Sequence, residues 1–168
     1  ITAAAGSDFS WGSTIGEVRT VVYTGNEFSV DKWFKGLRAG NTFVTNGPAL
    51  FFEADDRLPG TEIMKTSGST TRLTVKALSD PSIGKIKQLA IYNNDGLVAE
   101  KWNTSKSDSL EITLTHVLNK SQWIAAMVTC DNGAVAHTSP FYFIVDNQPS
   151  WSVNRAPGII QKQLEALD

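Results

Sequence analysis

The sequence predicts a mainly β protein: an antiparallel, immunoglobulin-like β-sandwich with one amphipathic helix on its N-terminal side and a second helix at its C-terminus. Three observations predict it. Short runs of alternating apolar and polar residues recur from Thr42 to Val145 with turn residues between them, the spacing of sandwich strands. One segment near residue 30 carries a helical period instead. The 168 residues are 41% hydrophobic and 19% charged, which suffices for one hydrophobic core.

The elements follow in order. Val18 to Tyr23 is β-branched and aromatic and lies between Gly16 and Gly25, so it reads as a strand. Val30, Trp33, Phe34 and Leu37 then fall at i, i+3, i+4, i+7 and form one apolar stripe, expected to be buried against the sheet. Ser29 stands at the N-cap, Asp31 favours the positive helix start, and Phe28 has the spacing to staple onto Trp33. Arg38 and Gly40 suit the helix end. Strands are expected at Thr42–Thr45, Leu50–Ala54, Thr71–Leu78, Ile86–Asn93, Leu97–Ala99, Leu110–Leu114, Gln122–Thr129 and Val135–Val145. In the third of these, Leu73, Val75 and Ala77 share one face. Asn94-Asp95-Gly96 and Asp131-Asn132-Gly133 supply hairpin turns. Pro157 can open a tail helix with Ile160, Leu164 and Leu167 on one face.

Composition excludes several function classes. Net charge is −2, so there is no basic excess to release counterions from a nucleic acid. No apolar run approaches the ~20 residues of a membrane-spanning helix. Cys130 is the only cysteine, so no intramolecular disulfide and no cysteine-based zinc site can form, and cytoplasmic and secreted or periplasmic locations both stay open. Asp131 beside it should raise the thiol pKa. The start Ile1-Thr2-Ala3-Ala4-Ala5 has no Met and no charged leader, and reads as an internal start.

Chemistry-bearing motifs are sparse. The two histidines, His116 and His137, belong to no metal-ligating pair, and His116 is expected just after a strand, beside a turn. There is no nucleophile elbow and no phosphate-binding glycine loop. Five tryptophans could suggest a carbohydrate-binding face. Trp33 lies in the helix stripe, however, Trp123 in an expected core strand, and Trp11, Trp102 and Trp151 are scattered, so packing is the better reading. The chain alone is therefore expected to be non-catalytic, with no cofactor of its own. Asn46-Gly47-Pro48 reads as a strand-ending turn in which Gly47 permits a positive φ.

Three segments together resemble a known family: Gly6-Ser7-Asp8 with Gly16-Glu17-Val18-Arg19-Thr20-Val21-Val22-Tyr23; Phe28 to Pro48, with its Leu37-Arg38-Ala39-Gly40 and Thr42-Phe43-Val44-Thr45-Asn46-Gly47-Pro48; and Ala136-His137-Thr138-Ser139-Pro140-Phe141-Tyr142. In that order they resemble the C-terminal portion of PHP-superfamily metal-dependent hydrolases of the CehA/McbA (carbaryl hydrolase-like) type. The resemblance implies a metal-binding barrel followed by a β-sandwich, with divalent metals activating water for hydrolysis. It implies that residues 1–48 hold the end of a PHP-like barrel and a connecting strand–helix–strand, residues 49–148 the sandwich, and 149–168 the tail helix. Asp8 matches the Asp of a late Asp-x-His metal motif, while Ser10 stands where that motif has His. Arg19, Asn46 and His137 would form a polar cluster near the parent's site.

The function this implies is a non-catalytic accessory domain of a PHP-like hydrolase, partnered by the parent's N-terminal barrel, which holds the divalent metal. The alternative is an independent immunoglobulin-like module that binds a glycan or a protein. On the hydrolase-fragment reading, apolar surface around Phe9 and Trp11, and on the tail face of Ile160, Leu164 and Leu167, should drive self-association or leave these segments partly disordered.

Overall fold

A computed structural model describes residues 2–8, 14–150 and 156–165. Eleven strands and two helices form among them, in two facing sheets. The smaller sheet is β3 (Ala49–Ala54), β5 (Ser69–Leu78) and β8 (Ser109–Leu118), in that order and antiparallel throughout. The larger is organised around β9 (Gln122–Cys130). One edge of β9 pairs with β6 (Ile86–Asn93), which carries the hairpin strand β7 (Gly96–Trp102). Its other edge is shared by β10 (Val135–Thr138) and β11 (Phe141–Val145). Beyond β10 lie β2 (Thr42–Thr45) and then β1 (Arg19–Val22); beyond β11 lies β4 (Glu62–Lys65). The helices are α1 (Val30–Ala39) and α2 (Ala156–Glu165). A three-stranded sheet facing a wider one, with the chain crossing from β3 in one to β4 in the other, is an immunoglobulin-like sandwich.

Alternation decides which faces meet. Leu73, Val75 and Ala77 of β5 are fully buried, as their spacing predicts. They meet Leu89 and Ile91 of β6, Ile124, Ala126 and Val128 of β9, and Phe141 and Phe143 of β11 in one core. Phe52 of β3 reaches across to Phe141, with ring centroids 5.0 Å apart and planes at 83°, the edge-to-face geometry that aromatic quadrupoles favour. At the other end, Gln122 Oε1 takes the Asn93 side-chain amide at 2.7 Å and lies 3.2 Å from His116 Nε2. His116 thus sits inside β8, which runs four residues past the expected Leu114, and belongs to a polar clip between the sheets.

Four expectations need correction. Val135–Val145 is two strands, because Ser139-Pro140 interrupts the ladder and Pro140 has no N–H to give. That break lets β10 pair with β2 and β11 with β4. β4 is unforeseen, since four residues with one fully inward side chain, Ile63, are too short to show a period. It runs parallel to β11, so the larger sheet is mixed rather than purely antiparallel. Third, Gly47 is not at positive φ. It is needed for space, since a Cβ there would lie 2.8 Å from Ala134 Cβ.

The fourth correction is the helix. Its caps form as expected: Ser29 Oγ accepts the Lys32 N–H at 3.2 Å, and Gly40 ends it at φ 75°. Its apolar stripe, however, is not buried against the sheet. At about 100° per residue, Gly36 lies on the Trp33 side of the stripe. A Cβ at Gly36 would sit 2.6 Å from Val22 Cγ1 and 2.9 Å from the Tyr23 carbonyl, so the helix lies on β1 through its glycine. Trp33 and Leu37 are half-buried beside it. Val30 and Phe34 are rotated outward, and Phe34 is 47% exposed. Phe28 is 74% exposed rather than stapled.

The crossover from β3 to β4 is held by Asp55. Asp55 and Asp56 both adopt positive φ, 48° and 60°, between the bridged residues Ala54 and Arg57. This is the two-residue turn whose twist matches antiparallel strands, in which Asp is well tolerated. The Asp55 carboxylate accepts from Lys65 Nζ at 2.9 Å, Thr71 Oγ1 at 3.1 Å and the Arg72 N–H at 2.8 Å. Partial burial by itself would raise the Asp55 pKa. The Lys65 ammonium and the Arg72 and Thr71 donors outweigh it and hold the carboxyl below its usual range.

Three outcomes follow from this packing. Gly36→Ala should destabilise by ~1–3 kcal/mol through overpacking against Val22, although alanine favours helix by about 1 kcal/mol. Phe34→Ser should change stability by less than about 0.5 kcal/mol. Urea melts check both, and a loss above ~2 kcal/mol for Phe34→Ser would place that ring in a core. Because the Asp55 pKa is depressed in the fold, its contribution is complete above the unfolded value near 3.8 and is lost as pH falls through the folded value. Asp55→Asn should therefore flatten the acid limb of the stability profile below about pH 4, read from urea midpoints across that range.

Candidate interaction site

The two sheets differ in width, and that difference makes an apolar cleft at the β3 edge. On β2 and β10 the residues alternate between faces. Ala136 and Thr45 are opposite one another and buried inward, whereas His137 lies opposite Val44 on the other face. By the same alternation Val21 and Phe43, paired across β1 and β2, point inward. The smaller sheet ends at β3, so these two side chains overhang its edge. A cleft of about 240 Å³ results, walled by Val21, Phe43, Phe51, Leu58 and Pro59. Phe43 and Phe51 meet edge-on across it, with ring centroids 6.1 Å apart. Its single charged lining residue is Glu53, which takes part in none of the ion pairs among the described residues.

The outer face of the same strands is covered differently. The segment of residues 2–8 lies over β1 and β2, held by hydroxyls rather than by strand pairing. Thr42 Oγ1 donates to the Ala3 carbonyl at 2.8 Å, Ser139 Oγ accepts the Ala3 N–H at 2.8 Å, and Thr20 Oγ1 both accepts from and donates to Ala5. Ser7 Oγ binds the Val18 backbone in the same way. Thr42, Val44 and Ser139 are buried beneath it.

The residues singled out from the sequence are scattered over this region. Arg19 and His137 stand one ladder row apart, and that one-row offset puts their side chains on opposite faces of the sheet. Both are exposed. Asn46 closes the β2–β10 ladder: its Oδ1 accepts the Val135 N–H at 2.7 Å and its own N–H donates to the Val135 carbonyl. Asp8 is exposed at φ 49° at the end of the covering segment. Ser10, Phe9, Trp11, Trp151 and Leu167 lie outside the described residues. Among the described residues no three His, Cys, Asp or Glu side chains converge as metal ligands would. Trp102 is half-exposed at the end of β7, with Lys87 Nζ 6.0 Å from its ring centre, and Trp33 and Trp123 are half-buried.

Cys130 is buried at the end of β9. Burial raises its thiol pKa, Asp131 adds a smaller push in the same direction, and a contact to Ser79 opposes them. The thiol should therefore resist alkylation by iodoacetamide at neutral pH in the folded protein and react only on unfolding. Mass spectrometry of the native and urea-treated protein checks this.

No family model matches the chain, and no curated protein matches it. Among solved structures the chain is similar to the Clostridium thermocellum CbhA fibronectin(III)-like modules, at 12% sequence identity and a TM-score of 0.38, with 58% of this chain and 98% of that chain covered.

Proposed function

We propose that this domain is a non-catalytic, immunoglobulin-like accessory module that docks beside a metal-dependent hydrolase barrel of the PHP type. The observation that supports this reading is spatial. The segments that carry the resemblance are far apart in sequence, yet they adjoin in space. β1, β2 and β10 are consecutive strands of one sheet, α1 lies on β1, and residues 2–8 cover their outer face. The middle strands β5 to β8, which carry little of the resemblance, form the far side of the sandwich. A family signal confined to adjoining strands at one end of the sheet is what an inter-domain contact would draw on, since domain interfaces within a chain use a limited patch. Ile15, Tyr23, Phe28, Val30 and Phe34 add exposed apolar surface along that face, more than single scattered residues would. In this reading the barrel would supply the metal and the water-activating chemistry, and Asp8, which matches the late metal motif of the resemblance, would be this chain's contribution to it.

A second reading, a free-standing module that binds a glycan or a protein, is favoured by the aromatic-lined cleft at the β3 edge. The two separate cleanly. The coding sequence upstream of Ile1 should contain a His-x-His pair opening a barrel, and co-expression with that region should slow amide exchange across residues 18–38 at least tenfold. A coding sequence without the His-x-His pair, or unchanged exchange in the joined protein, removes the hydrolase reading and leaves the free-standing module.

A further inference from the structure

The free edge of β3 opens directly into the cleft, and the hydrogen-bond phase of the ladder says which groups it presents. Asp55 N–H donates to the Arg72 carbonyl, so Asp55 and Arg72 are a hydrogen-bonded pair. Alternation then makes Glu53–Thr74 and Phe51–Lys76 the bonded pairs of β3 and β5. On the other side of β5, Ser79 N–H donates to the Asp108 carbonyl, which puts Leu73, Val75 and Ala77 in bonded pairs with β8 and gives the same phase. Leu50, Phe52 and Ala54 therefore aim their N–H and C=O groups away from β5. Ala54 is satisfied, because Arg57 returns both bonds at 3.1 Å and 3.0 Å. The chain then leaves this edge at Leu58-Pro59: Pro59 has no N–H, and Asn41 Nδ2 and Gly40 hold this stretch toward the larger sheet. The start of a strand beside β3 is thus present, and among the described residues its continuation beside Phe52 and Leu50 is not.

We propose that this slot binds a short extended polypeptide segment, which adds to β3 as a fourth strand of the smaller sheet. Its backbone pairs with the N–H and C=O groups of Leu50 and Phe52. Its inward side chains are apolar and small enough for the cleft, filling the overhang under Val21 and Phe43. Charge selects among such segments: Glu53 at the rim has no ion-pair partner among the described residues, so a Lys or Arg on the segment is preferred. An exposed sheet edge is the usual template for such addition, with main-chain bonds giving affinity and alternate side-chain pockets giving specificity. The inference stands apart from the hydrolase reading, since the segment need not come from a barrel.

The probe is a synthetic, end-blocked peptide with valine at alternate positions and lysine between them, titrated into the 168-residue chain. Amide exchange at Leu50 and Phe52 should be fast in the free protein despite their buried side chains, and should slow at least tenfold with saturating peptide. Methylating the peptide nitrogens that face β3 should abolish binding. Glu53→Lys should weaken the lysine peptide at least fivefold and strengthen its glutamate counterpart. Three results overturn the proposal: Leu50 and Phe52 amides already protected in the free protein, equal binding of the methylated peptide, or binding that protects neither amide. Saturation of the cleft by an oligosaccharide or a fatty acid, with no peptide binding at millimolar concentration, overturns it as well.

Discussion

The edge-to-face contact of Phe52 with Phe141 joins the two sheets where the chain is least regular, and much of the architecture depends on it. Phe52 is on an edge strand, so it has a neighbour on one side only. Phe141 follows the Ser139-Pro140 break, where the last strand shifts from one neighbour to another. Burying these two rings against each other fixes how β3 sits beneath the larger sheet. With β3 fixed, the Asp55-Asp56 turn must send the chain across to β4, and the Asp55 carboxylate ties that crossing to Lys65, Thr71 and Arg72.

The unequal width of the sheets follows from the same arrangement. β10 can hold β2, and β2 can hold β1, because the proline break has taken β11 away to β4. Among the described residues no strand of the smaller sheet extends under β1 and β2. Their inner face is therefore left to a cleft, and their outer face is closed by a segment bound through hydroxyls. Side-chain hydroxyls suit this task because Thr20, Thr42, Ser139 and Ser7 can each both donate and accept, which satisfies backbone groups that no strand is there to pair.

The helix shows how local and tertiary requirements part company. Its stripe of Val30, Trp33, Phe34 and Leu37 has the periodicity of a buried face. What sets its roll angle, however, is a backbone approach that only Gly36 permits. That approach turns the stripe by a fraction of a turn, leaving Trp33 and Leu37 half-covered and Phe34 and Val30 outward. Amphipathicity predicted that a helix would form; it could not say which side of an already formed helix would find a strand.

The sequence by itself determined the elements whose signals are local. Leu73, Val75 and Ala77 announce their shared face because a strand repeats every two residues. Ser29 and Gly40 announce the ends of α1 because capping needs only a few adjacent groups. The high thiol pKa of Cys130 was legible in part, through the neighbouring Asp131, although its main cause is burial. Only the tertiary structure decided the rest. The parallel pairing of β4 with β11, the need for space rather than positive φ at Gly47, and the one-row offset that sets Arg19 and His137 on opposite faces all depend on contacts between residues distant in the chain. So does the cleft: nothing local to Leu50 or Phe52 says that their backbone groups will face an open edge. That is fixed by where β5 pairs, where Pro59 leaves, and how far β1 and β2 overhang, because hydrogen-bond phase and sheet width are properties of the assembled sheets and not of any one strand.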